Sequence, residues 1–311
     1  MAGAIVVIGS INVDLVTFME RAPVAGETIT GTDFRTFPGG KGANQAVGAA
    51  RLGQRVRFIG RVGGDDFGAA MVANLVQNQV DTSLVRRLPG LPTGTALIFV
   101  EASGENRIVV IPGANGVISP ADIEAERRAI AEADYVLLQL EIPPETVLRA
   151  LEIAEEEKTP VMLDPAPARA LPDEVLRRVA VLTPNRSELG LLTGRAVLPQ
   201  GGEVAVAARD LIGRGVGTVV VKLGAEGVLV IDSHAARQAP GFRVEVVDTT
   251  GAGDAFNAGL AVSLARGLDI EEACRFANAV GAMAVRSAGA QSSLPDAAEV
   301  ERFLAERGMS W

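Results

Sequence analysis

The stretch AIVVIGSINVD (Ala4–Asp14) runs through apolar residues without alternation and turns polar after Gly9. A short, continuous apolar run ending in glycine marks a β-strand buried on both faces. The signature recurs in RVRFIG (Arg55–Gly60), YVLLQL (Tyr135–Leu140), VMLD (Val161–Asp164), VAVLTP (Val179–Pro184) and TVVVKLG (Thr218–Gly224). Helical patterns fall between most of these runs. KGANQAVGAARLG keeps its apolar positions on one helix face and stops at Gly53, and SPADIEAERRAIAEA offers Ser119 as N-cap and Pro120 at the first helical position. Strands alternating with helices predict an α/β fold, a three-layer α/β/α sandwich around a mostly parallel central sheet.

Two segments break that rhythm. VDLVTFMERAPVAGETITGTDFRTF (Val13–Phe37) is rich in β-type residues and shows no helical pattern, and TGTALIFVEASGENRIVVIPG (Thr93–Gly113) places a turn, SGEN, between two alternating runs. Together they predict a discontinuous small β-sheet, residues 12–36 with 93–112, acting as a lid, a dimer surface or both. The larger domain then takes residues 1–11, 37–92 and 113–311. A chain of 311 residues suits one large α/β domain with such an appendage.

Bulk composition excludes several functions. Lys and Arg total 29 against 38 Asp and Glu, a net charge of −9, which argues against nucleic acid as a partner. Trp311 and Tyr135 are too isolated to build a base-stacking surface. The single cysteine, Cys274, rules out an intramolecular disulfide and a cysteine zinc site; its helical surroundings predict a buried residue. His234, the only histidine, lies in a turn-like stretch, and no Ser or Cys nucleophile stands in a suitable setting, so a hydrolase triad is not expected. No signal-peptide pattern and no apolar stretch near the ~18 residues of a membrane span is visible, so a cytoplasmic protein is expected.

Familiar nucleotide signatures fail. The dinucleotide fingerprint would need glycines where Ile11 and Asp14 follow Gly9, and a P-loop would need glycine at Arg35 and Ser or Thr at Gly42. GGKGANQA (Gly39–Ala46) instead combines close-approach glycines with the charge of Lys41 and the amide of Asn44. Asn12 and Asp14 follow the first buried strand, where open α/β sheets bind ligands, and are spaced to reach the hydroxyls of one polyol. Glu141 ends another such strand. In TPNRSE, Asn185 and Glu188 read as a helix cap and its capping-box partner, a role compatible with a metal-bound water. KLGAEG (Lys222–Gly227) is a glycine-flanked turn between strands. In DTTGAGDAFNAG (Asp248–Gly259) a helix opens after Gly-Ala-Gly, presenting free N–H groups and a positive dipole end suited to an anion, with Asp254 beside it.

GSINVD, GGKGANQAVGAARLG, DPAPAR, TPNRSE, KLGAEG, DTTGAGDAFNAG and AGAQSSLP, in this order across nearly the whole chain, resemble the ribokinase-like carbohydrate kinases. The resemblance implies ATP-dependent phosphorylation of a sugar's primary hydroxyl, D-ribose to D-ribose 5-phosphate, and dimerisation through the lid. It assigns Asn12, Asp14, Gly39, Gly40, Lys41, Asn44 and Glu141 to the sugar, with Asp254 at its reacting hydroxyl. Asn185, Lys222, Leu223, Gly224, Ala225, Glu226, Gly227, Gly253 and Asn278 are assigned to ATP. Glu188 would hold Mg2+ through water, and Asp248, Thr250, Ala284, Ser287, Gly289 and Ser293 an activating K+. The likeness is weakest at Ile108–Pro112 (IVVIP).

On this reading the N–H groups of Gly251, Ala252 and Gly253 steady the transferring phosphoryl group, and Asp254, opening the helix, takes the hydroxyl proton without a large pKa shift. Other readings keep the fold but change the acceptor to deoxyribose, fructose, 2-keto-3-deoxygluconate or a nucleoside. A non-catalytic sugar or nucleotide sensor belongs to a different class, and an intact Gly-Ala-Gly-Asp speaks against it.

Overall fold

The structure, a computed structural model, describes residues 4–195 and 203–310. Nine strands form the large sheet. In spatial order they are β13 (Ala236–Ala239), β12 (Val228–Ile231), β11 (Thr218–Lys222), β10 (Val181–Leu182), β9 (Val161–Leu163), β8 (Ala133–Leu138), β1 (Ala4–Ile8), β4 (Arg55–Gly63) and β5 (Val85–Leu88). The pairs from β11 through β5 are parallel, and β12 and β13 add an antiparallel edge. Alternation along β1 sorts its side chains between two cores: Ile5 and Val7 enter one, Val6 and Ile8 the other.

Helices α1 (Lys41–Arg51), α2 (Asp66–Gln77), α9 (Ala252–Ala265), α10 (Ile270–Ala284) and α11 (Ala297–Ala305) cover the Ile5 face. The opposite face carries α3 (Pro120–Ala125), α4 (Arg127–Ala131), α5 (Pro144–Glu157), α6 (Asp173–Leu176), α7 (Arg186–Thr193) and α8 (Glu203–Gly213). The three-layer α/β/α sandwich expected from the strand–helix alternation is present. Among the described residues no helix is long and apolar enough to cross a membrane.

The two irregular segments supply β2 (Asn12–Met19), β3 (Asp33–Gly39), β6 (Gly94–Glu101) and β7 (Asn106–Ile111), which form one sheet in the order β3-β2-β6-β7. Its central pair, β2 with β6, is parallel and both outer pairs are antiparallel. Strand β3 runs on to Gly39, so the small sheet ends directly against α1.

Some local expectations shift. The helix expected from Ser119 onward is broken at Glu126 into α3 and α4, and Ile123 and Ile130 still enter the same core. Its start is as expected: the Asp122 carboxylate accepts from the Ser119 backbone N–H at 2.8 Å, and Pro120 holds the first helical position. Cys274 is buried in α10, where burial pushes its thiol up to about 12, and His234 is exposed.

Candidate active site

Gly40 caps α1 with φ 89°, and a Cβ there would stand 2.7 Å from the Asn12 backbone nitrogen. Only glycine lets α1 start so close to the chain leaving β1. The close approach gathers GSINVD and GGKGANQ at the C-terminal end of the parallel strands, where an open α/β sheet presents its crevice. Asn12 is buried there, and Asn115 braces it, donating from Nδ2 to Asn12 Oδ1 at 2.8 Å and to the Ile11 carbonyl at 3.0 Å. Asp14 lies against Gly39, whose missing side chain leaves room for its carboxylate.

Carboxylates crowd around Lys41. Glu141 Oε2 accepts from the Lys41 backbone N–H at 3.0 Å and from the Ser10 hydroxyl. Asp254, with Asp164, Glu141 and Glu188, holds the Lys41 ammonium well above its usual range despite burial. Burial, with Glu141 and Asp254 beside it, pushes Asp14 up to about 7. Glu188 is raised chiefly by burial.

Asp254 is the third residue of α9, still within its first turn, and is 5% exposed. Asn44 Nδ2 donates to its Oδ2 at 2.9 Å, and Gln45 Nε2 to its Oδ1 at 3.0 Å. Burial raises its pKa, with Lys41 and the two amides acting in the opposite direction. The sequence suggested an ordinary aspartate; the structure gives a desolvated one, which makes it a stronger base.

Gly251 caps α9 in the left-handed region, φ 75°. The Ala252 N–H turns back to the Thr249 carbonyl at 3.2 Å, whereas those of Gly251 and Gly253 meet no backbone acceptor among the described residues. On the far side of this turn opens a cavity of about 530 Å³, lined by Gly224, Gly227, Phe242, Gly253, Phe256 and Asn278 among others. Lys222 borders it too, and its Nζ lies 3.0 Å from Asp164 Oδ1. Ala225 also lines the cavity, whereas Leu223 and Glu226 do not, and the Glu226 carboxylate pairs outward with Arg186 at 2.6 Å. Asn185 caps α7, its Oδ1 accepting from the Glu188 N–H at 2.8 Å while Glu188 Oε2 accepts from the Asn185 N–H at 2.7 Å. Asn278 donates to the carbonyls of Ala239 and Pro240, both at 3.1 Å, fixing the cavity wall.

Asp248 joins two loops. Its Oδ1 accepts from Thr250 N and Oγ1 at 2.9 and 2.7 Å, and its Oδ2 from Gly289 N at 2.8 Å. The Val247 and Asp248 N–H groups reach the carbonyl of Val285, next to Ala284 at the end of α10. Ser287 is exposed, and Ser293 donates to the Ala290 carbonyl at 3.0 Å. This neighbourhood of carboxylate, hydroxyl and carbonyl oxygens is chemically suited to a hard monovalent cation. Among the described residues no three His, Cys, Asp or Glu side chains come together as a metal cage.

Sequence reasoning missed Ser10, Gln45, Asn115, Gln139, Asp164 and Gln291. Gln45 was inside the quoted GGKGANQA, and Asp164 closed an apolar run, as Glu141 does. Both carried the available signal of a polar residue at a buried strand's C-terminal end or a helix's first turns. Gln291 lay within the quoted AGAQSSLP, whereas Asn115 carried no such signal, because chain folding alone brings it in.

The α9 N-terminus thus separates an apolar cavity from a carboxylate-rich pocket, the layout of a group-transfer enzyme with two substrates. The pfkB family carbohydrate kinase pattern matches residues 3–297, and the chain belongs to that family. It is 44% identical over 300 residues to the ribokinase of Bacillus subtilis, covering 96% of this chain and 99% of that protein. It is 37% identical over 301 residues to the deoxyribokinase of Salmonella typhi, covering 96% and 98%. The structure of Arabidopsis thaliana ribokinase complexed with ribose and ATP superposes with a TM-score of 0.90 at 35% identity, covering 97% of this chain and 98% of that one.

Proposed function

We propose that this chain transfers the terminal phosphoryl group of ATP to the 5-hydroxyl of D-ribose, giving D-ribose 5-phosphate. One observation carries the reading: Gly253 lines the large cavity while Asp254, its neighbour, faces Asn44, Gln45 and Lys41 on the opposite side. A nucleotide in the cavity and a sugar in the polar pocket meet at that turn. Likeness to ribokinases over nearly the full chain supports the choice of sugar.

In this reading Asn12, Asp14, Gly39, Gly40, Lys41, Asn44 and Glu141 hold the sugar, its hydroxyls bonding to carboxylates and amides. Asp254 takes the proton of the attacking hydroxyl, a step commonly worth roughly 10²–10⁴ in rate. The Gly251 and Gly253 N–H groups and the α9 dipole steady the phosphoryl oxygens, and Lys222, held by Asp164, adds positive charge beside them. Asn185, Asn278 and the 222–227 turn hold the nucleotide. Glu188 would hold Mg2+ through water, and the ion would supply charge neutralisation at the phosphates. The oxygens around Asp248, Thr250, Ala284, Ser287, Gly289 and Ser293 would hold K+. The small sheet serves as lid and as the interface of a cytoplasmic homodimer.

A second acceptor, deoxyribose, is favoured by the similarity to a deoxyribokinase. The test is ADP release from ATP with D-ribose, 2-deoxyribose, fructose, 2-keto-3-deoxygluconate and a nucleoside as acceptors. The expected order puts ribose first in kcat/KM; a higher value for any other acceptor replaces ribose, and no turnover with any of them removes the kinase reading.

A further inference from the structure

Gln45, the fifth residue of α1, is 1% exposed and stands between two buried carboxylates. Its amide nitrogen carries two hydrogens, and each meets an anion: Asp254 Oδ1 at 3.0 Å and Asp164 Oδ2 at 3.1 Å. Its oxygen accepts from Gln139 Nε2 at 2.7 Å. The two carboxylates decide which way round the amide stands: reversed, its oxygen would face both of them, and each would lose this donor. Gln139 is itself 1% exposed and packed against the end of β1, where a Cβ on Gly9 would come within 2.1 Å of its Oε1.

The other oxygens of the two carboxylates are also taken. Asn44 holds Asp254 Oδ2, and Lys222 holds Asp164 Oδ1. With one donor on each Asp254 oxygen, the plane of that carboxylate is fixed, and a remaining lone pair keeps one direction for an incoming hydroxyl. Without the Gln45 donor the group is free to turn toward Lys41, the nearest strong cation. The same amide separates two like charges that otherwise face each other across a dry site.

We propose that Gln45 is a positioning residue for phosphoryl transfer, orienting the Asp254 carboxylate from a mount built by Gln139 and Asp164. The proposal rests on Asp254 being the base. Lys41 from α1, Asp14 from β2 and Asp164 after β9 face Asp254, with Lys222 of β11 behind Asp164. Losing an N–H donor disfavours the ionised carboxylate, so Asp254 then titrates higher.

The experiment compares Gln45→Met, Gln139→Met and Asp254→Asn across pH, with thermal melting as the check on folding. Gln45→Met is expected to lower kcat at pH 7 by roughly tenfold or more with both KM values within about twofold, the pattern of an interaction made for the transition state. The acid limb of its kcat profile moves upward, so raising the pH restores part of the rate. Gln139→Met touches neither carboxylate and shifts the limb the same way by less. A lower kcat at every pH with an unmoved limb means a merely structural role and overturns the proposal, as does wild-type behaviour of both variants. Should Gln45→Met not fold, Gln139→Met decides alone by the same criterion. If Asp254→Asn turns over normally, the base assignment and this proposal fall together. If Asp254→Asn is inactive while both glutamine variants match wild type, only the positioning role falls.

Discussion

Asn44 Nδ2 meets Asp254 Oδ2 at 2.9 Å across 210 residues of sequence, joining the first turns of α1 to those of α9. Asn44 cannot swing away easily, because its own Oδ1 accepts from Gln291 Nε2 at 3.0 Å, and Gln291 Oε1 accepts from Asn74 at 2.7 Å. The carboxylate at the centre of the proposed chemistry is therefore oriented by side chains from two other parts of the chain. It forms only when both helices are docked on the sheet.

Asp254→Asn keeps the shape and removes the base. We expect kcat to fall by roughly 10²–10⁴ while sugar and ATP affinities, measured by calorimetry, stay within a few-fold. Near-normal turnover would take the base role from Asp254.

Asp14 gives a pH signature whose sign follows from its shift. Folded, it holds its proton up to about pH 7; unfolded, it releases it near the ordinary aspartate value of 3.8. Between those values the folded protein binds the extra proton, so stability falls as pH rises from about 4 to about 7 and the loss is complete above that. The shift corresponds to at most about 4 kcal/mol over that window. Asp14→Asn removes this contribution, so urea melts of the variant minus wild type should widen in the variant's favour across the window. The KM for the sugar should also climb below about pH 7 in wild type and be flat there in the variant. Parallel stability curves for the two proteins would show that Asp14 titrates normally.

How much of this was readable in advance depends on the range of the forces involved. The buried strands were legible at Ala4–Gly9 and Thr218–Gly224 because their apolar character is local and unbroken. Asn185 and Glu188 were legible as a capping pair because both bonds span three residues. The mount of Asp254 was not legible in this way. Gln45 reaches Asp164 and Asp254 over 119 and 209 residues, and no local pattern encodes which carboxylate a buried amide will meet. The raised pKa of Asp254 was missed for the same reason: desolvation belongs to the packed site, not to the residues beside it in sequence. The break at Glu126 went unseen because the apolar spacing of Ser119–Ala133 suits one helix as well as two.

The Asp248 bridge sets the expected response to cations. Its carboxylate, raised by burial but held below its usual range by bonds from Gly289 and Thr250, is ionised at neutral pH and ties the loop before α9 to the loop after α10. Arg51 anchors the second loop through the carbonyls of Gln291 and Leu294, at 2.7 and 2.8 Å. We expect K+ to raise kcat above the rate in Na+ or in a bulky organic cation, and Asp248→Ala to abolish the difference with a several-fold lower rate. Equal rates in all three salts for the wild type would remove the cation from these oxygens.

The edge of the small sheet gives the last expectation. Among the described residues strand β7 bonds only to β6, and Ile108, Val109, Val110 and Ile111 are each at least 40% exposed. A run of four aliphatic residues on an open edge, without a charge or proline inside it, invites pairing with another chain. Covering side chains that are already about half buried contributes roughly 1 kcal/mol each toward association. A second copy of the same sheet is the partner a homodimer would provide. Val109→Lys places a charge in the middle of that run and should shift sedimentation from dimer to monomer. Because β6 and β2 connect β7 to Asp14, the same substitution should raise the sugar KM more than it lowers kcat. A wild-type protein that sediments as a monomer at micromolar concentration would end the dimer reading, and a Val109→Lys dimer would place the interface elsewhere.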